Sequence, residues 1–270
     1  MKIGMALSGG GARGIAHLGV LKALKEQGIE PDMISGVSAG AITGALYAVG
    51  YQPDEVLEIF ITTKMFRFLR PAMSKMGLLK MEKTDELYLK YLTGNSFDNL
   101  KIPLIVSATN LNEGETVYFS QGELIKPVQA SSCIPVLFEP IRFNGCTYVD
   151  GGILNNLPVE PLLDTCDCII GVHSNPYDPK QPLNSMRTVM ERTLLLAVQY
   201  NVKERIKCCD LFIEPAGLRR FTTFDIAKAR EIFEIGYQHT MEMAPQIEEL
   251  KKVKNIPERV VQEVDISEKL

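Results

Sequence analysis

Along this chain, short apolar runs alternate with longer stretches whose apolar residues recur at helical spacing. Runs of strand length lie at 2–8 (KIGMALS), 33–37 (MISGV), 103–109 (PLIVSAT), 168–174 (CIIGVHS) and 211–215 (LFIEP). Between the first two, RGIAHLGVLKALKEQG (13–28) carries a helical pattern that closes at Gly28, a glycine suited to the C′ position. AGAITGALYAVG (39–50) continues as a helix rich in small residues, as close packing on a strand requires. Long helices are predicted at 185–208 and 225–251. This alternation predicts an α/β layer fold with a mainly parallel central sheet.

An antiparallel insertion is predicted between the third and fourth of these strands. TVYFSQG (116–122) reads as a strand, and IRFNGCTYVDGG (141–152) as two short strands joined by Asn144-Gly145, a strong hairpin signal. The second of the pair runs into Asp150 and then two glycines, so a carboxylate is delivered where the backbone can turn sharply. No repeat, low-complexity linker or break in composition divides the chain, so 1–270 reads as one domain. It ends in a charged tail (253–270), of which PERVVQEVDISEKL (257–270) suits either an edge strand or a fraying end.

With 270 residues, 46% of them hydrophobic and 23% charged, the chain can bury a substantial core. A formal charge of −4 gives no basic excess for tracking phosphates, which sets nucleic acid aside. No apolar run has the length of a membrane span, and the N-terminus lacks the apolar stretch of a secretory signal. A cytoplasmic protein is expected, with peripheral contact to a membrane left open. Six cysteines include Cys166-x-Cys168 and the vicinal Cys208-Cys209, but neither pair has the two-residue gap of a zinc knuckle. Reduced thiols, no metal and no cofactor are the expectation.

Three motifs carry candidate chemistry. GVSAG (36–40) has the Gly-x-Ser-x-Gly form of a nucleophile elbow, with Ser38 at the tip of a strand-to-helix turn. GGGARG (9–14) also joins a strand to a helix. Its glycines match a dinucleotide fingerprint, but the acidic residue at the expected distance, Asp32, stands at the start of the next strand, on the wrong edge to meet a ribose. The same turn can instead converge backbone N–H groups on an oxyanion. DGGILNNLP (150–158) places Asp150 at the end of its hairpin. A serine needs a proton acceptor, and the chain has three histidines: His17 and His239 fall within predicted helices, while His173 ends a strand. By position alone, Asp150 acting directly and a Ser38-His173 pair held by Asp150 are both open.

GGGARG, GVSAG and DGG, in that order, together with ASSCIPVLFEP (130–140), resemble the patatin-like phospholipases over residues 3–158. The resemblance implies a three-layer α/β/α fold and a serine lipid acyl hydrolase without a cofactor. It implies Ser38 as nucleophile and Asp150 as its partner in a Ser-Asp dyad. It also implies an oxyanion hole in the glycine loop at Gly9, Gly10 and Gly11. Ala39 N–H and the charge of Arg13 are further candidates there, although an arginine in a first helical turn is more often a surface or ion-pair residue. The implied partner is a phospholipid or another acyl ester. The segment 62–83 combines six basic residues and one acidic residue with many Met, Phe and Leu side chains. It suits a lid or a contact with anionic lipid, and equally a surface helix with one apolar face.

Overall fold

A computed structural model describes residues 1–63, 70–71, 76–81, 84–177, 179 and 183–256. Ten strands lie among the described residues: β1 (Ile3–Leu7), β2 (Met33–Val37), β3 (Arg70–Pro71), β4 (Leu79–Lys80), β5 (Leu104–Asn110), β6 (Glu115–Phe119), β7 (Ile141–Phe143), β8 (Cys146–Asp150), β9 (Cys168–Val172) and β10 (Leu211–Ile213). The helices are α1 (Ala16–Glu26), α2 (Ala39–Val49), α3 (Pro53–Thr62), α4 (Thr84–Tyr91), α5 (Ile125–Ser131), α6 (Glu160–Leu163), α7 (Met186–Ile206), α8 (Ala229–Glu242) and α9 (Ala244–Lys254).

One sheet runs in the order β10-β9-β1-β2-β5-β8-β7, with β6 also on β5; β3 and β4 pair separately. The five strands from β10 to β5 are parallel to one another. β1 and β9 are buried at every position, as strands covered on both faces must be. Ile3, Met5 and Leu7 join one core with residues of α1, α2 and α8, whereas Ala6 joins Leu157, Leu162 and Val202 on the opposite face. Helices therefore cover both faces of the sheet, in three α/β/α layers.

The register around β5 positions the site. Ile34–Val37 of β2 pair with Leu104–Ser107, and Asp150, Val149 and Tyr148 of β8 then pair with Ala108, Thr109 and Asn110. β6 pairs with Val106–Asn110, overlapping both partners, so it occupies the other edge of β5. β2 and β8 thus lie head to head along one edge: Val37 stands opposite Ser107 and Asp150 opposite the next residue, Ala108. The predicted antiparallel insertion between β5 and β9 is part of the sheet: β8 and β7 continue it past the end of β2, and β6 lies on the other edge of β5.

Two further expectations change in detail. The helix predicted at 225–251 is broken into α8 and α9, with Pro245 in the first turn of α9, where its missing N–H costs nothing but cannot continue a preceding helix. The first helix opens as a tight 3-10 turn, Gly11–Ile15, before α1 begins. The tail 257–270 and most of 62–83 lie outside the described residues.

Candidate active site

Ser38 caps α2 with φ 53° and ψ −122°, a left-handed conformation that is sparsely populated for a residue with a Cβ. Close packing holds it there. A Cβ on Gly40 would stand 2.2 Å from the Leu7 carbonyl oxygen, and one on Gly36 would stand 2.7 Å from that of Gly40. Gly40 is therefore required by contact with the end of β1, and Gly36 by the close return of α2 over β2. Ser38 N–H donates to Ser131 Oγ at 2.8 Å, and Ser132 Oγ donates to the Ser38 carbonyl at 3.4 Å, so the end of α5 clamps the turn from below.

Asp150 ends β8 and is buried, as is Ser38. Its backbone N–H donates to the Cys133 carbonyl at 2.9 Å, and Thr109 Oγ1 donates to its carbonyl at 3.0 Å. Its carboxylate lies beside the Ser38 side chain in one cavity and accepts Gly152 N–H at 2.8 Å. Burial pushes the Asp150 carboxyl up to about 6, against the pull of the Ser38 hydroxyl and the Gly152 N–H, which favour the charged form. No histidine is in this contact.

The glycine loop lies across the site. The Gly9 carbonyl accepts from Ser8 Oγ (3.0 Å), Ser174 Oγ (3.0 Å) and Asn175 Nδ2 (2.5 Å). In a trans peptide the C=O and the following N–H point in opposite directions, so these three donors turn the Gly10 N–H the other way. The next turn packs on the elbow: a Cβ on Gly14 would meet Ala39 Cβ at 2.4 Å.

Gly9, Gly10, Gly11, Arg13, Ser38 and Asp150 share one cavity of about 240 Å³. Ala39 is not among its lining residues, although it directly follows Ser38 at the start of α2. Much of the remaining wall is apolar, including Leu78, Ile134, Leu137, Leu195 and Val198. Arg13 is 4% exposed, so it is a buried cation of the site and not a surface residue. Four large apolar lining residues remain exposed: Val136 (67%), Leu78 (65%), Phe224 (40%) and Ile153 (39%). Leu78 belongs to the described end of 62–83, and its N–H donates to the Val136 carbonyl at 3.1 Å.

The histidines lie elsewhere. His173 Nδ1 is 2.7 Å from Glu214 Oε1, and its ring stacks on Phe212 in a separate pocket with Gln199 and Lys203. His17 Nε2 donates to the Ser8 carbonyl at 2.8 Å, and burial pulls its pKa down to about 4, which keeps it neutral. Burial also lowers the pKa of His239, in the last turn of α8. Asp32 accepts Ile3 N–H at 2.8 Å, at the end of β1 opposite the glycine loop. All six cysteines are free thiols, and no cluster of metal-ligating side chains occurs among the described residues. Among those residues, too, no helix is long and apolar enough to cross a membrane.

Sequence reasoning missed Asn156 and Asn175, both buried and both lining the cavity. Their signal was position. Asn156 stands in the DGGILNNLP loop that presents Asp150, and Asn175 follows a strand at the edge where Ser38 lies.

The family model described as patatin-like phospholipase matches residues 5–163. Lysophospholipase NTE1 of Kluyveromyces lactis is 28% identical over 289 residues, covering 92% of this chain and 19% of that protein. An uncharacterized NTE family protein of Mycobacterium tuberculosis is 35% identical over 178 residues, covering 64% of this chain and 49% of its own length. The chain thus spans between about a fifth and a half of these relatives. In three dimensions it is similar to VipD from Legionella pneumophila, with a TM-score of 0.59 at 16% identity, over 90% of this chain and 66% of that one.

Proposed function

Because the chain belongs to the patatin-like phospholipase family, we propose that it is a serine acyl hydrolase cleaving carboxylic esters of lipids, with Ser38 as nucleophile and Asp150 as base. The observation that carries this reading is the meeting of Ser38, at a strained elbow, with the buried Asp150 and the glycine loop in one cavity.

Ser38 Oγ attacks the acyl carbonyl while its proton passes to Asp150. A free aspartate, with a pKa of about 3.9, is a weak base at neutral pH; burial raises Asp150 toward the range that general-base catalysis favours. The tetrahedral oxyanion is held by N–H groups of the Gly9–Gly11 loop and by Ala39 N–H, with the buried Arg13 adding positive potential. The C–O bond to the alcohol then breaks, and Asp150 returns the proton to the departing oxygen. Water adds to the acyl-enzyme with Asp150 as base, the fatty acid leaves, and Ser38 recovers its proton.

The apolar wall and exposed apolar rim suit an acyl chain entering from a lipid surface, and the name of the Kluyveromyces relative supports a lysophospholipid among the substrates. Contact with lipid is peripheral in this reading, through the rim and the basic segment 62–83. A fluorophosphonate probe followed by mass spectrometry should place the label on Ser38, and Ser38→Ala should take neither label nor substrate. Label on another serine of active protein would overturn the assignment.

A further inference from the structure

The Gly9 carbonyl oxygen, with two lone pairs, is met by three donors. Ser8 Oγ donates to it at 3.0 Å, Ser174 Oγ at 3.0 Å and Asn175 Nδ2 at 2.5 Å, and all three residues are buried. The donors are themselves fixed. Ser174 N–H donates to Ser8 Oγ at 2.9 Å, Ser8 N–H to the Val172 carbonyl at 3.0 Å, and Gln199 Nε2 of α7 to the Asn175 carbonyl at 3.1 Å. Strand pairing produces the meeting: Leu7 of β1 stands opposite Val172 of β9, so the residues after each strand leave the sheet side by side.

The sheet order gives this contact a direction. β1 lies between β9 and β2, so Ser174 and Asn175 stand on one side of the glycine loop and Ser38, which follows β2, on the other. With its C=O drawn toward the β9 side, the Gly9–Gly10 peptide turns its N–H toward the β2 side, where a Cβ on Gly9 would come within 3.0 Å of Ser38 Cβ. Both residues of that peptide have to be glycine: a Cβ on Gly9 would also stand 2.6 Å from Asn156 Oδ1, and one on Gly10 would stand 2.1 Å from Ser174 Oγ. A peptide between two glycines meets little steric resistance to rotation. Its orientation has to be imposed from outside the loop.

We propose that Ser174 and Asn175 are positioning residues of the oxyanion hole, locking the Gly9–Gly10 peptide so that Gly10 N–H faces the oxygen that gains charge when Ser38 attacks. Each acts through the peptide and touches no reacting atom. A donor already aimed needs no rearrangement as the charge develops, which is what makes it effective, and a carbonyl that accepts hydrogen bonds polarises the N–H of its own peptide. This inference rests on the proposed acyl transfer to Ser38 with the glycine loop as oxyanion hole.

The test compares Ser174→Ala and Asn175→Ala with wild type in the full chain, on a chromogenic short-chain ester and with a trifluoromethyl ketone of the same acyl length. Ser38 Oγ adds reversibly to that ketone, its proton passes to Asp150, and the carbonyl oxygen becomes an oxyanion with no group leaving. Each variant should lower kcat roughly 10- to 100-fold with KM within about 3-fold, and the ketone's inhibition constant should rise by the factor by which kcat/KM falls. The pH at which activity levels off should stay where it is, because Asp150 is untouched. A merely structural role would reduce the number of sites the fluorophosphonate titrates and leave the ketone's affinity for the remaining sites unchanged. That result overturns the proposal, as do wild-type kcat in a folded variant and a shift of the pH profile that accounts for the loss. Ser174→Cys and Asn175→Asp keep the volumes while weakening or removing the donors, and decide the matter if an alanine variant does not fold. If Ser38→Ala retains hydrolysis, or the ketone does not inhibit wild type, the acyl-transfer reading falls and this inference with it. If both of those hold and the variants behave as wild type, the brace alone is excluded.

Discussion

Two carboxylates hold polar partners just beyond the carboxyl ends of the parallel strands, and they differ in what surrounds them. Asp150 lies beside Ser38 in a largely apolar cavity that the glycine loop also lines. Glu214 takes His173 in a pocket lined by Gln199, Tyr200 and Lys203. α7 stands between them: Leu195 and Val198 line the first pocket, and Leu196 and Gln199 line the second. The second pair has a histidine and an acid but no serine in its pocket, while the first has a serine and an acid without a histidine. Chemistry in this fold follows the juxtaposition of strand ends, and residue type near an edge is a poor guide to it.

The sharpest way to break this comparison is mutation of each pair. Ser38→Ala should abolish ester hydrolysis, and Asp150→Asn should lower kcat/KM by roughly 10² to 10⁴ or more, as loss of a general base does. His173→Ala and Glu214→Gln should retain activity within a few-fold, with circular dichroism confirming the fold. Loss in His173→Ala equal to that in Ser38→Ala would transfer the base to the second pair.

The pH profile sharpens the same contrast. The Asp150 carboxyl, raised to about 6 by burial, must be ionised to accept a proton. kcat/KM should therefore rise about tenfold per pH unit below 6 and level off above it. A profile flat from pH 4.5 to 8 would remove Asp150 as the base.

Stability should move in opposite directions at the two sites. Asp150 has a folded pKa above its unfolded one, so between about 4 and 6 the unfolded chain gives up the proton that the folded protein keeps. Stability is therefore lost as pH rises through 6. Asp150→Asn should remove this penalty and stabilise the protein at pH 8 by on the order of 2–3 kcal/mol, with the gain vanishing near pH 4. His173→Ala, which empties a packed position and strands Glu214, should cost about 1–3 kcal/mol instead. Denaturant midpoints at two pH values measure both. A destabilised Asp150→Asn at pH 8 would contradict the burial argument.

The smallest expected effect concerns the apolar mouth. Activity on vesicles should rise a few-fold with anionic lipid and fall with salt, while hydrolysis of soluble short esters should hardly change. Equal salt dependence with both substrates would leave the basic segment without a role in lipid contact.

Much of this was legible in the residues because it is local. A strand, a glycine-flanked serine and a helix of small residues specify the elbow at Ser38 within a few positions, and the same holds for the glycine loop. Asn144-Gly145 and the two glycines after Asp150 likewise mark the hairpin and its end. The break between α8 and α9 was missed because helical periodicity continues across Met243, and only the first-turn position of Pro245 marks it.

What tertiary structure alone decided was which of these local elements meet. Ser38 and Asp150 are brought into one cavity because β2 and β8 share one edge of β5 and end on adjacent residues of it. His173 is drawn to Glu214 at the end of the neighbouring strand, into a pocket that does not contain Ser38. Arg13, at the opening of a helix where solvent would be expected, is buried in the cavity. Gly9 and Gly152, far apart in the chain, both leave space for the Asn156 amide. Backbone preference and hydrophobic period act over a few residues and can be read in order. Strand pairing and side-chain enclosure depend on contacts between distant segments, which the linear order does not contain.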